Sequence, residues 1–227
     1  MRTRSVLQAA AVAVGIITAT TGGAFAATFT NGSFEDVTNF TPDGNDTDAL
    51  AGGSTAMPGW TVTGGSVAWI GPTNPFGLAA SNGGYFLDLT SYASGNGNGV
   101  EQSFTTVKNG EYTVTFDLGG GNGVSIDAGA NGASQTFSGG LLSTQTSWDP
   151  QTFTFVAAGN TSLLSFVGIA NPGGFIGLDH VQVAFNGIAA TTPIPGSVVM
   201  LGTALLGLGL VGTRRSRNAN QADLSAS

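Results

Sequence analysis

Glu111-Tyr112-Thr113-Val114-Thr115-Phe116-Asp117-Leu118 is the stretch that decides the fold class. Successive side chains of an extended chain point to opposite faces. Tyr112, Val114, Phe116 and Leu118 therefore share one side, and Thr113, Thr115 and Asp117 share the other. That period-two alternation is the signature of a half-buried strand. Residues 100–104 and 151–156 read the same way, as do 162–167, which are apolar enough to be covered on both faces. Asn109-Gly110, 119–123 and 171–174 supply turn chemistry between them. No segment of the middle sustains a three-to-four-residue apolar rhythm. The expected architecture is all-β: an antiparallel β-sandwich whose two sheets bury their Val, Phe and Leu faces against each other.

Working outward, composition and charge narrow the function. The 227 residues contain no Cys, which excludes a disulfide framework, a thiol nucleophile and a cysteine metal site. A single His180 excludes any site that needs two imidazoles. Residues 27–190 hold twelve of the thirteen acids against Lys108 alone, a net charge near −11. Nucleic-acid backbones need arrays of Lys and Arg, so nucleic acid is not an expected partner.

The two ends read as addresses. Arg2 and Arg4, the apolar run 6–17 and the small-x-small site Ala24-Phe25-Ala26 make residues 1–26 a secretory signal peptide cleaved before Ala27. The β-sandwich domain is then 27–190, one ordinary domain. Residues 191–195 form a Pro-x-Pro linker with Pro193 and Pro195. The apolar, Gly-rich stretch 196–212 is the length of a short transmembrane helix, and 213–227 are a basic tail carrying Arg214, Arg215 and Arg217. The positive-inside rule puts those arginines in the cytoplasm and the domain outside the inner membrane.

Pro-x-Pro, a short apolar span and an Arg cluster together resemble the PEP-CTERM class of sorting signals. The resemblance implies an exosortase-type processing enzyme as partner, cleavage near the prolines, and release to the cell surface or an exopolysaccharide matrix. Asn31-Gly32-Ser33-Phe34-Glu35, Pro58-Gly59-Trp60, residues 65–70, 84–89 and 99–118, and Gly177-Leu178-Asp179-His180-Val181-Gln182-Val183 follow one another through the domain. In that order they resemble the choice-of-anchor C family, itself similar to a plant cell-wall family of galactose-binding-like jelly rolls. The resemblance implies a jelly roll at the cell surface with no assigned catalytic activity. It also implies a structural calcium whose ligands would match Glu35 and Asp179. Calcium takes six to eight oxygen ligands, which carboxylates and carbonyls could supply where two chain ends meet. The alternative for the same residues is a turn cap at Glu35 and a backbone-bonded Asp179.

Other chemistry is thinner. Asp43, Asp46 and Asp48 lack the Gly and Glu spacing of a helix-loop-helix calcium loop and read as a solvated acidic loop. Asp179 and His180 are neighbours on a strand and should face opposite ways, which prevents a triad contact. No carboxylate pair stands out for glycoside hydrolysis, so the chain is read as a non-enzyme. A glycan site would use aromatic platforms with Asn side chains. The candidates are Trp69, Tyr85, Trp148 and Asn82, with Phe76, Tyr92, Asn74 and Asn96 in reserve, whereas Trp60 belongs to the core. The expectation is an exported, non-enzymatic envelope or matrix protein that binds polysaccharide. The alternative is a structural surface or biofilm protein without a small ligand, and behind it a carbohydrate-active enzyme.

Overall fold

A computed structural model of the chain describes residues 29–77, 79–91, 96–120, 123–139, 147–170 and 175–189. The chain divides into two units, Met1–Ile188 and Ala189–Ser227, and every strand described belongs to the first. Ala24, Ala26, Tyr92, Pro193, Pro195, Arg214, Arg215 and Arg217 lie outside the described residues. Among the described residues no helix is long and apolar enough to cross a membrane.

Eleven strands are present among the described residues: β1 (Thr47–Ala51), β2 (Thr61–Thr63), β3 (Ser66–Ile70), β4 (Phe86–Asp88), β5 (Gly99–Thr105), β6 (Gly110–Gly120), β7 (Ser125–Ala130), β8 (Ala133–Ser138), β9 (Trp148–Val156), β10 (Thr161–Ala170) and β11 (Ile176–Ile188). They form two antiparallel sheets, one of six strands in the order β1-β3-β4-β11-β6-β9 and one of five in the order β2-β5-β10-β7-β8. The expected antiparallel β-sandwich is the observed fold.

The alternation in residues 111–118 is realised in β6, where Tyr112, Val114, Phe116 and Leu118 are buried and Thr115 is exposed. Opposite them the five-stranded sheet presents Val100, Phe104, Ile126, Leu164 and Phe166. Phe116 meets Phe166 and Phe137 edge-on, at ring-centroid separations of 5.1 and 5.2 Å, an arrangement aromatic quadrupoles favour. Strand β10 corrects one expectation. It is covered on one face only, with Ser162, Leu164 and Phe166 buried and Leu163 partly open to solvent.

The opening Asn31-Gly32-Ser33-Phe34 segment serves the core. Trp60 Nε1 donates to the Asn31 carbonyl (2.9 Å) and Trp69 Nε1 to the Phe34 carbonyl (3.1 Å). A buried indole N–H needs an acceptor, and this turn supplies one to each of two buried tryptophans. Phe34 holds φ +60° to do so, with its ring fully buried.

The acidic loop is less solvated than expected. Asp48 is buried and accepts from the Thr41 amide and hydroxyl. Asp46 Oδ2 accepts from the Thr73 amide (2.7 Å) and hydroxyl (2.8 Å). Asp48 thus fastens β1 to the loop before it, and Asp46 fastens that loop to the segment after β3.

Candidate functional site

The outer face of the six-stranded sheet, the one turned away from the sandwich core, is where chemistry collects. Segment 79–85 crosses this face and is held at three points. Asp179 Oδ2 accepts from the Ser81 amide (2.8 Å), the Ser81 hydroxyl (3.0 Å) and the Asn82 amide (2.9 Å), while its Oδ1 accepts from the His180 amide (2.6 Å). Glu35 Oε1 accepts from the Gly84 and Tyr85 amides, both at 2.8 Å. Trp148 Nε1 donates to the Ala79 carbonyl at 2.9 Å.

Glu35 and Asp179 thus do come together on one loop. Their observed partners are N–H and O–H donors, which meet Glu35 at Oε1 and Asp179 at both oxygens. Among the described residues no group of three or more His, Asp or Glu gathers as a metal-binding set. Asp179 is fully buried, and burial pushes its carboxyl up to about 6, against the smaller opposing pull of the Asn82, His180 and Ser81 hydrogen bonds. Asp88 in β4 is pushed up to about 6 by the same cause. Its Oδ1 accepts from the Thr90 amide, the Thr90 hydroxyl and the Ile176 amide.

Trp148 lies across three strands. It is paired with Gly119 of β6, which in turn is paired with Gly177 of β11, so two glycines stand beneath the indole. A Cβ at Gly119 would come within 2.7 Å of the ring, and one at Gly177 within 2.8 Å. The ring also meets Phe86 of β4 edge-on at 5.6 Å. With Ala68, Ile70, Phe86 and Phe175 it forms a second, small hydrophobic cluster on this outer face.

Beyond Trp148, a β-bulge reshapes the surface. Asp179 is paired with Asp117 and Gln182 with Thr115, so His180 and Val181 together oppose the single residue Phe116. Val181 turns into the core. His180 takes φ +51°, and its ring comes to the outer face. There His180 Nδ1 stands 3.4 Å from Asp117 Oδ2, and Nε2 stands 2.6 Å from the Gln182 side-chain nitrogen. That contact suits an imidazole with its hydrogen on Nδ1, facing the carboxylate, and an Nε2 that accepts from the Gln182 amide. Strict alternation breaks at this point for a physical reason: the bulge adds a residue, and the partner of the His180 ring is Asp117 of the neighbouring strand.

Thr115, Phe116, Asp117, Pro150, Gln151, Thr152 and His180 line a shallow depression of about 420 Å³. Trp148, Pro150 and Thr152 follow one another at two-residue spacing along β9, so Trp148 lies on the same sheet face, two residues before Pro150 of the lining. A volume of that size is in the range of small-molecule sites, roughly 300–1,000 Å³.

The sequence-expected glycan residues divide. Trp69 is corrected: it is fully buried and its ring packs on Phe40 at 5.0 Å, so it offers no platform. Tyr85 is half-buried against Phe40 and Trp69. Asn82 is exposed on the clamped segment, and Trp148 is half-buried beside the depression. Phe76 is 47% exposed, and Asn74 Oδ1 accepts from the Phe76 amide. Asn96 is exposed. Sequence reasoning passed over Asp117, His180 and Gln182 as a set. Their one legible signal was the solitary imidazole, whose facing was hidden by the bulge.

Fold and site together define an all-β, two-sheet domain with a shallow, largely apolar depression, edged by Asp117 and His180, on the outside of the larger sheet. A family model described as protein of unknown function (DUF642) matches residues 27–174, and the chain belongs to that family. No curated protein matches the chain. Among solved structures, a family 35 carbohydrate-binding module from Clostridium thermocellum is 14% identical, with 60% of this chain and 97% of that one covered at a TM-score of 0.43. The structure of TmCBM61 in complex with β-1,4-galactotriose is 16% identical, with 69% and 96% covered and a TM-score of 0.42. A family 35 module from an environmental isolate is 20% identical, with 52% and 85% covered and a TM-score of 0.40. The fold assignment itself rests on the strand pairing above.

Proposed function

We propose that this is an exported, non-catalytic glycan-binding protein of the cell envelope or exopolysaccharide matrix, with the Asp117–His180 depression as its binding site. The observation that carries the proposal is the convergence there of hydrogen-bonding side chains with apolar surface. Asp117 and the Gln182 amide oxygen can accept from sugar hydroxyls, Thr115 can donate or accept, and Pro150 and Trp148 present apolar surface to a pyranose face. Both imidazole nitrogens of His180 are engaged by side chains of its own sheet, Asp117 at Nδ1 and Gln182 at Nε2.

Affinity electrophoresis of the full chain through gels containing soluble polysaccharides tests the proposal. Retardation by at least one polysaccharide is expected, and His180→Ala with Gln182→Ala should lower that affinity at least tenfold without lowering the melting temperature by more than a few degrees. Retardation unchanged in the variant would move the site elsewhere.

Delivery belongs to the same proposal. Residues 1–26 would direct export, 196–212 would hold the chain in the inner membrane, and an exosortase-type enzyme would cut near Pro193 and Pro195. Intact mass of the protein from its own host checks this. A species that begins at Ala27 and ends near Pro195 is the expected product, and a full-length chain in the membrane fraction would leave a simple anchored protein.

A structural calcium at Glu35 and Asp179 belongs to the same proposal. Chelation should then lower the melting temperature of the full chain, and an unchanged melt with metal verified absent would leave the hydrogen bonds to segment 79–85 as the whole role of these two carboxylates.

A further inference from the structure

We infer that the glycan recognised at the Asp117–His180 depression carries free amino groups, an inference that rests on the glycan-binding reading above. Residues 27–190 contain one permanent cation, Lys108, which lies in the turn between β5 and β6, against twelve carboxylates. The field over the domain therefore repels uronic-acid and sulfated polymers and attracts cationic ones, and fields of this kind set which partner is admitted.

The depression repeats that bias locally. Asp117 is its one carboxylate, with a side chain 16% exposed, and its ion-pair partner among the described residues is His180, which is cationic only when protonated. The Gln182 amide nitrogen stands against Nε2, which leaves Nδ1 to face Asp117, and among the described residues no Lys or Arg pairs with that carboxylate. An ammonium group on a hexosamine would supply that missing cation as a charge-assisted hydrogen bond. The sugar's remaining hydroxyls would meet Thr115 and the Gln182 amide. A neutral hexose could make the hydroxyl contacts alone, whereas a uronic acid would set its carboxylate against Asp117.

The test is isothermal titration of the full chain with three probes: a β-1,4-linked glucosamine hexamer, its fully N-acetylated counterpart, and a hexamer of uronic acid. The glucosamine hexamer is expected to bind at least tenfold more tightly than the N-acetylated one, and the uronate not measurably. Asp117→Asn, which keeps an acceptor oxygen at the same place, should erase at least tenfold of that preference. A comparable loss of preference is expected as salt rises from 0.05 to 0.5 M, where the screening length shrinks to roughly 4 Å. Equal binding of the amino and N-acetylated hexamers, lost in His180→Ala, would overturn the charge inference and leave the glycan site standing. Preferential glucosamine binding that survives Asp117→Asn would also overturn it, because the preference would then come from net charge elsewhere on the domain. Failure of these probes and of a neutral polysaccharide panel alike would remove the glycan reading itself.

Discussion

As pH rises from about 4 to 7, the unfolding free energy of the domain should fall, with Asp88 and Asp179 each contributing about 2 kcal/mol to the loss. Both carboxyls are pushed from 3.8 to about 6 by burial. A carboxyl with a raised folded-state pKa binds its proton more tightly in the native chain than in the unfolded one. Its contribution is fully present below 3.8, declines between there and about 6, and is gone above. This is the reverse of ordinary acid denaturation, in which paired carboxylates lose stability on protonation. Urea unfolding of the full chain at pH 4, 5, 6 and 7 reads the slope directly, and a stability that rises over this interval would refute the assignment.

Two substitutions separate the contributors. In Asp88 the three hydrogen bonds all end on Oδ1, so Asp88→Asn can keep them and should flatten the slope by about half. In Asp179 both oxygens accept from N–H groups. Asp179→Asn must turn its amide toward a donor, and should cost about 2 kcal/mol at every pH.

The second large effect lies at Trp148. Trp148→Ala should destabilise the domain by about 3 kcal/mol, the low end for a large aromatic because the ring is only half-buried. It removes the ring from the Ala68, Ile70, Phe86 and Phe175 cluster and the donor from the Ala79 carbonyl. Gly119→Ala should cost about 2 kcal/mol by a different route, since its Cβ would stand within 2.7 Å of the ring and force the indole up. The pair should be strongly non-additive. Once the ring is gone the added methyl meets nothing, so the double variant should be about as stable as Trp148→Ala alone. Full additivity in chemical denaturation would show that the indole does not lie on Gly119.

How far the chain could be read from its residues depended on whether alternation was local. Residues 111–118, 100–104 and 151–156 announced β6, β5 and β9 because each keeps strict parity against one core face. Trp60 was readable from the Pro58-Gly59 turn before it. Trp69 was not: in Ser66–Ile70 both faces are apolar, and the second face is covered by a cluster assembled from residues 68, 70, 86 and 175, far apart in the chain. Asp179 was legible as a carboxylate bonded to backbone amides, but the loop that supplies those amides lies almost a hundred residues earlier. His180 reads as a surface residue and is one, but its sharing a face with Asp179 is not legible, because a one-residue bulge reverses every facing assignment beyond it and neither composition nor spacing marks a bulge in Asp179-His180-Val181-Gln182.

The chain has three tryptophans, and two of them, Trp60 and Trp69, are sealed in the core. Only Trp148 meets solvent, and it does so beside both the depression and the clamped segment. The protein therefore carries its own optical probe at the place of interest. A soluble quencher should dim one tryptophan in three, and a sugar seated against Pro150 and Thr152 should shield that one from the quencher. Release of segment 79–85 should do the opposite and shift its emission to the red while the two core indoles stay silent. Occupancy of the site and docking of the loop can thus be followed by fluorescence on the unlabelled chain.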